Sequence, residues 1–315
     1  MKSYINGNYF VTIHERSGTK KYRALRSGED FKAEFPDSID LKITDKCSIG
    51  CPFCHESSTP QGQNGDFLEL KRVLSQLPKY PIEIALGGGD LLECPTLTCS
   101  MINWLKHDQN KIVAGTFNIK SLLKVNADSV QCQVLRILDN IGISIDRKPT
   151  EEELDSLFRI LPISVNMVYH VILGIISPKD LRDVLHRGFY NGLLILGYKQ
   201  FGRGRSMNPL SPKLIQEYLD VLNEFGQERL HTFRNKVGIL NTYRSIGFDN
   251  LALEQLDLKN HIHPMVWDRI YLGEEFTNTM YVDGVKGEFA PTSRSTERVS
   301  WNSIGIIDYF KQNHR

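Results

Sequence analysis

The pattern of hydrophobic and polar residues is regular through the middle of the chain and changes near each end. From residue 39 to about 200, short runs rich in β-branched residues alternate with longer stretches that have apolar residues at helical spacing. The runs predicted as strands are 39–44, 82–86, 112–117, 141–145, 165–173 and 192–198. The stretches predicted as helices are 67–77, 96–107, 130–140, 150–161, 178–189 and 210–226, the last of them closed by Gly226. Strands that alternate with helices in this way indicate parallel βα units.

Six such units in a row predict an α/β fold, a partial (β/α)6 TIM-like barrel with its chemistry at the C-terminal ends of the strands. Residues 8–25 predict an N-terminal β-hairpin with a turn at 17–20. After about residue 237 the segments 245–256 and 280–292 predict short strands, with a hairpin turn at Asp283-Gly284. We therefore expect three regions, which are the hairpin extension 1–37, the barrel 38–236 and an α+β C-terminal extension 237–315.

Charge and hydropathy argue against several classes of protein. The chain has 38 basic and 37 acidic residues and a net charge of +1, so the composition does not call for a nucleic acid or a membrane surface. No apolar run approaches the ~20 residues that span a bilayer. The first residues also lack the apolar core and cleavage site of a signal peptide. We therefore expect a cytoplasmic protein that does not bind membranes, and the charge balance does not favour a nucleic-acid partner.

The six cysteines all precede residue 133, and three of them form a C-x3-C-x2-C motif directly after the first barrel strand. Thiolates grouped so tightly in a reducing compartment indicate a metal site. Structural zinc takes four ligands, and only the more distant Cys94 or Cys99 is available as a fourth. A [4Fe–4S] cluster held by three cysteines instead leaves one iron open to a substrate or cofactor. The motif therefore favours a cluster bound by Cys47, Cys51 and Cys54.

This spacing, with Phe53 just before the third cysteine, resembles the signature of the radical S-adenosylmethionine (SAM) superfamily. The resemblance implies that Cys47, Cys51 and Cys54 hold an oxygen-sensitive [4Fe–4S] cluster whose open iron binds SAM. It implies that one electron cleaves SAM to a 5′-deoxyadenosyl radical, which abstracts hydrogen from an unactivated carbon. It also implies a reducing partner such as a flavodoxin or a ferredoxin.

The resemblance extends to the ends of four later strands. Residues 87–90 (GGGD) resemble the family's glycine-rich motif that receives the SAM amino group, with aspartate in place of the usual glutamate. Residues 142–146 resemble the strand that contacts the ribose and carboxylate, and 195–205 resemble the stretch whose backbone holds adenine. The residues that we predict to contact SAM are Phe53, Gly87, Gly88, Gly89, Asp90, Asn118, Ser144, Asp146, Leu196 and Lys199.

Several other residues have two interpretations at this stage. Arg203 and Arg205 either meet the SAM carboxylate or an anionic substrate, or belong to a solvated basic loop. His170 either faces the barrel lumen or is a hydrogen-bonded core histidine. The remaining cysteines, Cys94, Cys99 and Cys132, are predicted to be buried thiols that hold no second cluster.

The sequence thus predicts a single-cluster radical SAM enzyme that acts on a peptide or a small-molecule substrate. The alternatives are a nucleoside- or RNA-modifying enzyme of the same superfamily and a non-catalytic iron–sulfur or zinc protein. Residues 263–295, rich in aromatics and turn residues, are expected to cover the barrel mouth and to bind substrate. The other interpretation of this segment is that it only buries an edge of the barrel.

Overall fold

The structure is a computed structural model that describes residues 1–14, 19–162, 165–187, 190–235, 245–264, 267, 271 and 273–313. It begins with a three-stranded antiparallel sheet of β1 (Lys2–Asn6), β2 (Tyr9–His14) and β3 (Thr19–Ala24). The predicted hairpin is therefore present, with β1 as an additional strand on its outer side. Residues 17 and 18 of the predicted turn lie outside the described residues.

Six parallel strands follow, and they pair side by side in chain order. They are β4 (Ser38–Thr44), β5 (Glu83–Gly88), β6 (Ile112–Asn118), β7 (Asn140–Ser144), β8 (Asn166–Ile172) and β9 (Gly192–Leu196). Each of them overlaps one of the six predicted runs. The prediction of an α/β fold built on a partial TIM-like barrel is confirmed.

The helices between and after these strands overlap the six predicted stretches, except for the short helix at 119–122, which was not predicted. They are α1 (Phe67–Leu74), α2 (Pro95–Asn103), α3 (Ile119–Leu122), α4 (Val130–Ile137), α5 (Glu151–Ile160), α6 (Pro178–Arg187) and α7 (Pro212–Asn235). Residues 188 and 189, predicted as the end of α6, lie outside the described residues. None of the helices in the described ranges has the length and apolar character needed to cross a bilayer.

The prediction that Gly226 ends its helix is wrong, because α7 continues to Asn235. A glycine ends a helix when it takes a left-handed conformation that the next residues do not continue. Within a helix it costs only about 1 kcal/mol relative to alanine, and helical residues flank it here on both sides.

The C-terminal part of the chain joins the barrel sheet at both edges. The strand β10 (Ser245–Phe248) pairs in parallel with β9, and β11 (Thr279–Asp283) pairs in parallel with β4. The remaining elements are α8 (Asn250–Gln255), α9 (Leu258–His261), β12 (Glu288–Ala290), β13 (Val299–Ser300) and α10 (Ile306–Asn313). The hairpin predicted at 280–292 is present as β11 and β12, which pair antiparallel.

The strand predicted over 245–256 is correct only for its first four residues. Residues 250–255 form α8, because the Asp249 carboxylate accepts a hydrogen bond from the Ala252 N–H at 2.7 Å and caps the helix. The leucine, alanine, glutamate and glutamine that follow are all good helix formers.

The two faces of the barrel sheet differ in what they bury. One face is apolar and lies under the helices, with Ile39, Leu41 and Ile43 of β4 at most 1% exposed. The opposite, lumen-facing positions carry mostly small or polar residues, which are Asp40, Ala85, Gly87, Ala114, Thr116 and Gly142. Asp40 is exposed in the middle of the sheet, and the side chains around it therefore do not fill the lumen.

The N-terminal sheet packs against the N-terminal ends of the barrel strands. The Asp37 carboxylate, just before β4, accepts hydrogen bonds from the hydroxyls of Tyr4 (2.8 Å) and Tyr9 (2.5 Å). Lys20 of β3 forms a 2.6 Å ion pair with Glu83 at the start of β5. These contacts lie at the end of the barrel opposite the cysteine motif.

Candidate active site

The loop after β4, residues 45–66, carries the three cysteines and is called the cysteine loop below. Cys47, Cys51 and Cys54 are free thiols, each partly buried. The loop is closed on itself, because the Cys47 N–H donates to the Thr59 carbonyl at 2.9 Å. A 3.2 Å hydrogen bond from the Cys54 N–H to the Cys51 carbonyl forms a turn between the second and third cysteines. The three cysteines therefore lie in one closed loop at the C-terminal edge of the sheet, where a TIM-like barrel carries its chemistry.

The donor set of this loop is three cysteine thiols, which are the ligands that iron–sulfur clusters use. A [4Fe–4S] cube takes each thiolate on a different iron, so three thiolates leave one iron open. Among the described residues, no group of three His, Cys, Asp or Glu side chains is arranged to hold a single metal ion. The chemistry of the residues present suits the cluster that the spacing predicts, with Cys47, Cys51 and Cys54 as its predicted ligands.

Burial and charge set the protonation of the free thiols. Burial raises the pKa of Cys47, and the carboxylate of Asp90 raises it further. Burial also raises the pKa of Cys51, whereas the positive charges of Lys120 and Arg203 lower it. The negative charge of another cysteine of the motif also raises the pKa of each of these two thiols. The three cysteines are therefore close enough to influence one another electrostatically.

The glycine motif after β5 lies directly against the start of the cysteine loop. The Gly89 N–H donates to the Thr44 carbonyl at 2.7 Å, and the Asp90 N–H donates to the Lys46 carbonyl at 2.6 Å. A Cβ at Gly89 would overlap the Lys46 carbonyl, and Gly88 has a φ of +108°. These two glycines therefore allow two backbone segments to approach closely, and the segment they approach is the protein's own loop.

Gly87 and Asp90 differ in what they offer to a ligand. A Cβ at Gly87 would meet no atom within 4 Å, so open space lies above this residue. The Asp90 carboxylate is 8% exposed and accepts hydrogen bonds from the Leu92 N–H (3.0 Å) and the Ser121 hydroxyl. Burial raises its pKa. Gly87 thus faces open space, whereas the Asp90 carboxylate already has two partners within the protein.

Three polar residues form a row across the ends of neighbouring strands. Asn118 of β6 is in register with Ser144 of β7, which is in register with His170 of β8. Asn118 points toward one of the predicted cluster ligands, with its Nδ2 atom 3.8 Å from the sulfur of Cys51. Its Oδ1 atom accepts a hydrogen bond from the Lys120 N–H at 2.9 Å.

His170 faces the lumen rather than a hydrogen-bonded core. It packs over Gly142, where a Cβ would stand 2.8 Å from its Nε2 atom and 3.0 Å from the Thr116 hydroxyl oxygen. Burial lowers the pKa of His170 to about 4, so the imidazole is neutral at physiological pH. Of the two interpretations given by the sequence, the lumen-facing position is the one observed.

Asp146, Leu196 and Lys199 occupy the rim on either side of this row. Asp146 forms a 3.3 Å ion pair with Lys120, and both side chains are well exposed. Leu196 ends β9, and its carbonyl accepts a hydrogen bond from the Leu173 N–H at 2.9 Å. Lys199 donates from Nζ to the Ser293 hydroxyl at 2.9 Å, which connects the rim to the C-terminal part of the chain.

The two arginines near the end of the predicted adenine stretch differ in their surroundings. Arg205 is exposed. Arg203 reaches back to the cysteine loop and donates to the carbonyl oxygens of Cys51 (Nε, 3.0 Å) and Ser58 (Nη1, 2.7 Å). The interpretation of this stretch as a solvated basic loop therefore does not hold for Arg203. Phe53, in the same loop, is partly buried, and its carbonyl oxygen lies near Gly204.

A buried charge network that sequence reasoning missed lies beside the cysteine loop. Lys42 of β4 is 3% exposed, and its Nζ atom contacts Asp45 (2.7 Å), Glu56 (2.8 Å) and Asp283 (3.4 Å). Burial opposes the charge of Glu56, but contacts with His55 and Lys42 outweigh it and hold the pKa of Glu56 well below its usual range. In the sequence, this network is indicated by two charged residues, Asp40 and Lys42, on the same face of the otherwise apolar strand IDLKIT.

A cavity of about 290 Å³ opens next to this network. It lies between the segment that follows Cys54 and residues 291–298, which are called the C-terminal loop below. His55 and Glu56 line it on one side, and Ser293 and Arg298 line it on the other. The Tyr281 hydroxyl donates to Glu56 at 3.1 Å and joins the two sides.

The other three cysteines lie away from this cavity. Cys94 and Cys132 are buried, as predicted. Cys99 is only partly buried, because it lies at the margin of the core on α2. The Cys94 thiol is within 3.6 Å of the Thr98 hydroxyl.

No protein-family model matches the chain, and no curated protein sequence matches it significantly. Solved structures do match. The crystal structure of SuiB from Streptococcus suis bound to S-adenosylmethionine has a TM-score of 0.59 and 10% sequence identity, over 89% of this chain and 66% of SuiB. SuiB bound to the precursor peptide SuiA gives 0.59 and 12%, over 89% of this chain and 65% of SuiB. The chain thus spans just under two thirds of the length of SuiB.

A third similar structure is native anSMEcpe with bound AdoMet and the Cp18Cys peptide. It has a TM-score of 0.53 and 15% identity, over 82% of this chain and 75% of anSMEcpe. SuiB and anSMEcpe are radical SAM enzymes. At such low identity the likeness concerns the fold, and it extends over 82–89% of this chain. The chain therefore has the fold of radical SAM enzymes.

Proposed function

We propose that this protein is a radical SAM enzyme that modifies a peptide. The observation that carries the proposal is the C-x3-C-x2-C loop at the C-terminal end of the first barrel strand, in a fold shared with SuiB and anSMEcpe. Bound there, a reduced [4Fe–4S] cluster would supply the electron that cleaves SAM to methionine and a 5′-deoxyadenosyl radical. Cys47, Cys51 and Cys54 would hold the cluster.

We assign the binding of SAM to the rim around the cysteine loop. Gly87 has open space above it, so the backbone there can approach a ligand closely. Asn118 and Ser144, side by side at the ends of β6 and β7, offer an amide and a hydroxyl to the ribose or the carboxylate. The backbone near Leu196 would lie along the adenine, and Lys199 would neutralise the carboxylate of SAM. These side chains would bind and orient SAM, and the apolar strands around them would limit access of water.

The substrate site lies, in our proposal, in the lumen and the adjacent cavity. Asp40 is exposed in the middle of the sheet, so the lumen has room for a substrate group. The cavity of about 290 Å³ adjoins the residues directly after Cys54, and the C-terminal loop forms its outer wall. A peptide is the favoured class because SuiB and anSMEcpe were both solved with a bound peptide. The C-terminal loop would then contact substrate, as proposed for residues 263–295, of which 265–266, 268–270 and 272 lie outside the described residues.

Anaerobic reconstitution with iron and sulfide tests this function. We expect about one [4Fe–4S] cluster per chain, and we expect 5′-deoxyadenosine and methionine when the reduced protein is mixed with SAM. A variant with Cys47, Cys51 and Cys54 all replaced by alanine should hold no cluster, whereas the matched triple variant of Cys94, Cys99 and Cys132 should hold a full one. A triple Cys47/Cys51/Cys54 variant that keeps its iron would rule out the assigned ligands. An intact cluster without any cleavage of SAM would rule out the enzyme.

A further inference from the structure

Arg203 holds three points of the cysteine loop at once. Its Nε atom donates to the Cys51 carbonyl at 3.0 Å, and its Nη1 atom donates to the Ser58 carbonyl at 2.7 Å. Its own backbone N–H donates to the Cys54 carbonyl at 3.0 Å. Two of these acceptors belong to cysteines of the motif. One residue from the end of the barrel therefore fixes the half of the loop that contains two of the three predicted cluster ligands.

The glycines on either side of Arg203 allow this close approach. Gly202 has a φ of +55°, and a Cβ there would stand 2.6 Å from the Cys54 carbonyl oxygen. A Cβ at Gly204 would stand 3.0 Å from the Phe53 carbonyl oxygen. Larger residues at these two positions would push the arginine backbone away from the loop. The sequence Gly-Arg-Gly is therefore matched to the backbone of the cysteine loop.

One donor of the Arg203 guanidinium remains without a partner. The Nη2 atom is buried and has no hydrogen-bond partner among the described residues. A buried donor left unsatisfied costs about 1–3 kcal/mol, and more when the group is charged, so such donors usually face an acceptor. The side-chain oxygen of Ser58, in the same loop, is buried without a partner as well. The two residues contact each other, since the Arg203 Nη1 atom donates to the Ser58 carbonyl.

We propose that Arg203 is the positioning residue of the cluster, which holds the Cys51–Ser58 half of the loop in place and sets a fixed positive charge beside the cluster that favours its reduced state. This inference rests on the proposed function. The positioning role rests on the three hydrogen bonds to the loop, and the positive charge is that of the guanidinium. The potential of an iron–sulfur cluster depends on nearby charge and on hydrogen bonds to its sulfurs.

Reduction of the cluster takes up one electron. A low-potential donor of the flavodoxin or ferredoxin class, or dithionite in an assay, gives one electron to the oxidised cluster, and the site becomes more negative by one charge. Arg203 carries its positive charge in both states, so its attraction is stronger for the reduced state. Loss of this charge should therefore make reduction less favourable.

Two substitutions separate positioning from charge, with Arg205→Gln as the matched control on the exposed neighbour. Arg203→Lys keeps the positive charge but loses the planar guanidinium that donates to two carbonyl oxygens. Arg203→Gln loses both the charge and the guanidinium. We expect both Arg203 variants to lose iron to a chelator several-fold faster than wild type, followed by the decay of cluster absorbance. In an EPR-monitored redox titration we expect Arg203→Gln to be about tenfold harder to reduce, a downward shift of about 59 mV for one electron. Arg203→Lys and Arg205→Gln should stay close to the wild-type potential.

The outcomes distinguish this inference from the proposed function. If wild-type protein binds no cluster, the proposed function fails together with the inference. If wild type binds the cluster and Arg203→Gln matches it in both iron release and potential, only the inference is overturned. If Arg203→Gln does not fold, Arg203→Lys decides, because iron release at the wild-type rate would contradict the positioning role. Equal shifts in Arg203→Gln and Arg205→Gln would also contradict it, since general surface charge would then explain the effect.

Discussion

The Nζ atom of Lys199 donates a 2.9 Å hydrogen bond to the hydroxyl of Ser293, and this contact connects the end of the barrel to the C-terminal loop. Such a contact contributes roughly 1 kcal/mol when it is intact. We predict that Ser293→Ala and Lys199→Met each loosen the C-terminal loop, measured as faster tryptic cleavage after Arg294 and Arg298. The double variant should be no more sensitive than either single one, as expected for two residues that act through one contact. As a control, Thr296→Ala changes an exposed neighbour, and its effect on the cleavage rate should add to that of Lys199→Met. If the effects of Ser293→Ala and Lys199→Met on the cleavage rate also add, the two residues do not act through one contact.

Truncation of the C-terminal part should abolish folding rather than merely open the site. The strand β11 pairs with β4 over five residue pairs, and Phe289 and Phe310 are fully buried behind it. We predict that a chain ending at residue 278 is recovered only as aggregate, because it leaves an exposed strand edge and loses part of the core. Size-exclusion chromatography would show this. A monomeric truncated protein with a cooperative unfolding transition would contradict it, and would leave substrate contact as the only role of the segment.

Substitution by alanine should affect protein stability at Gly89 but SAM binding at Gly87. Gly89→Ala should destabilise the protein by about 1–3 kcal/mol, because the methyl would overlap the Lys46 carbonyl. Gly87→Ala should leave stability unchanged, since its methyl meets nothing within 4 Å, yet it should weaken SAM binding severalfold if the ligand occupies that space. Urea unfolding and equilibrium dialysis with SAM measure the two effects. Unchanged SAM affinity in Gly87→Ala would remove this residue from the site.

His170 should make the protein sensitive to acid over a defined range. Burial lowers the pKa of His170 from the ordinary value of 6.5 to about 4. Between these two values the unfolded chain binds a proton that the folded protein does not, so the free energy of unfolding falls as the pH drops from about 6.5 toward 4. The difference in pKa bounds this loss at about 3 kcal/mol. Urea unfolding of His170→Gln should show a shallower decline over this range than wild type does, and identical declines would contradict the assignment.

Substitution of the other cysteines should leave the iron content unchanged. Cys94, Cys99 and Cys132 lie on or beside helices α2 and α4, away from the cysteine loop in sequence. We predict that Cys94→Ser, Cys99→Ser and Cys132→Ala together keep one cluster per chain after anaerobic reconstitution, measured by iron and sulfide analysis. The loss of a whole cluster in this variant would show that one of these thiols is a ligand.

Much of the fold follows from short-range pattern. Parallel strands covered on one face by helices read as apolar β-branched runs, and all six of them could be recognised. The capping box of α5 is local, because Thr150 and Glu153 are three residues apart and bond each other's backbone. The cysteine motif was recognisable for the same reason, since its chemistry depends on spacing within one loop.

The features that were missed depend on contacts between distant residues. The hydrogen bond between Asp90 and Ser121 was not predicted, because the two residues are 31 positions apart. The side-chain hydrogen bonds of Arg203 to the cysteine loop span 145 and 152 residues, so the sequence does not distinguish a solvated arginine from one that holds the loop. The helix α8 was predicted as a strand because an apolar run of this length fits either structure until its cap is recognised.

The pairing of β4 with β11 has a consequence for how the protein matures. Lys42 and Asp283 are in contact although 241 residues separate them, so the strand that leads into the cysteine loop lacks its outer neighbour until residues 279–283 have left the ribosome. At ordinary rates of synthesis this interval lasts on the order of 10 to 50 s. A cluster inserted during that time would enter a loop whose supporting edge is still unpaired. Cofactor loading in the cell should therefore follow the synthesis of β11, and translation arrested before residue 279 should yield nascent protein that holds no iron.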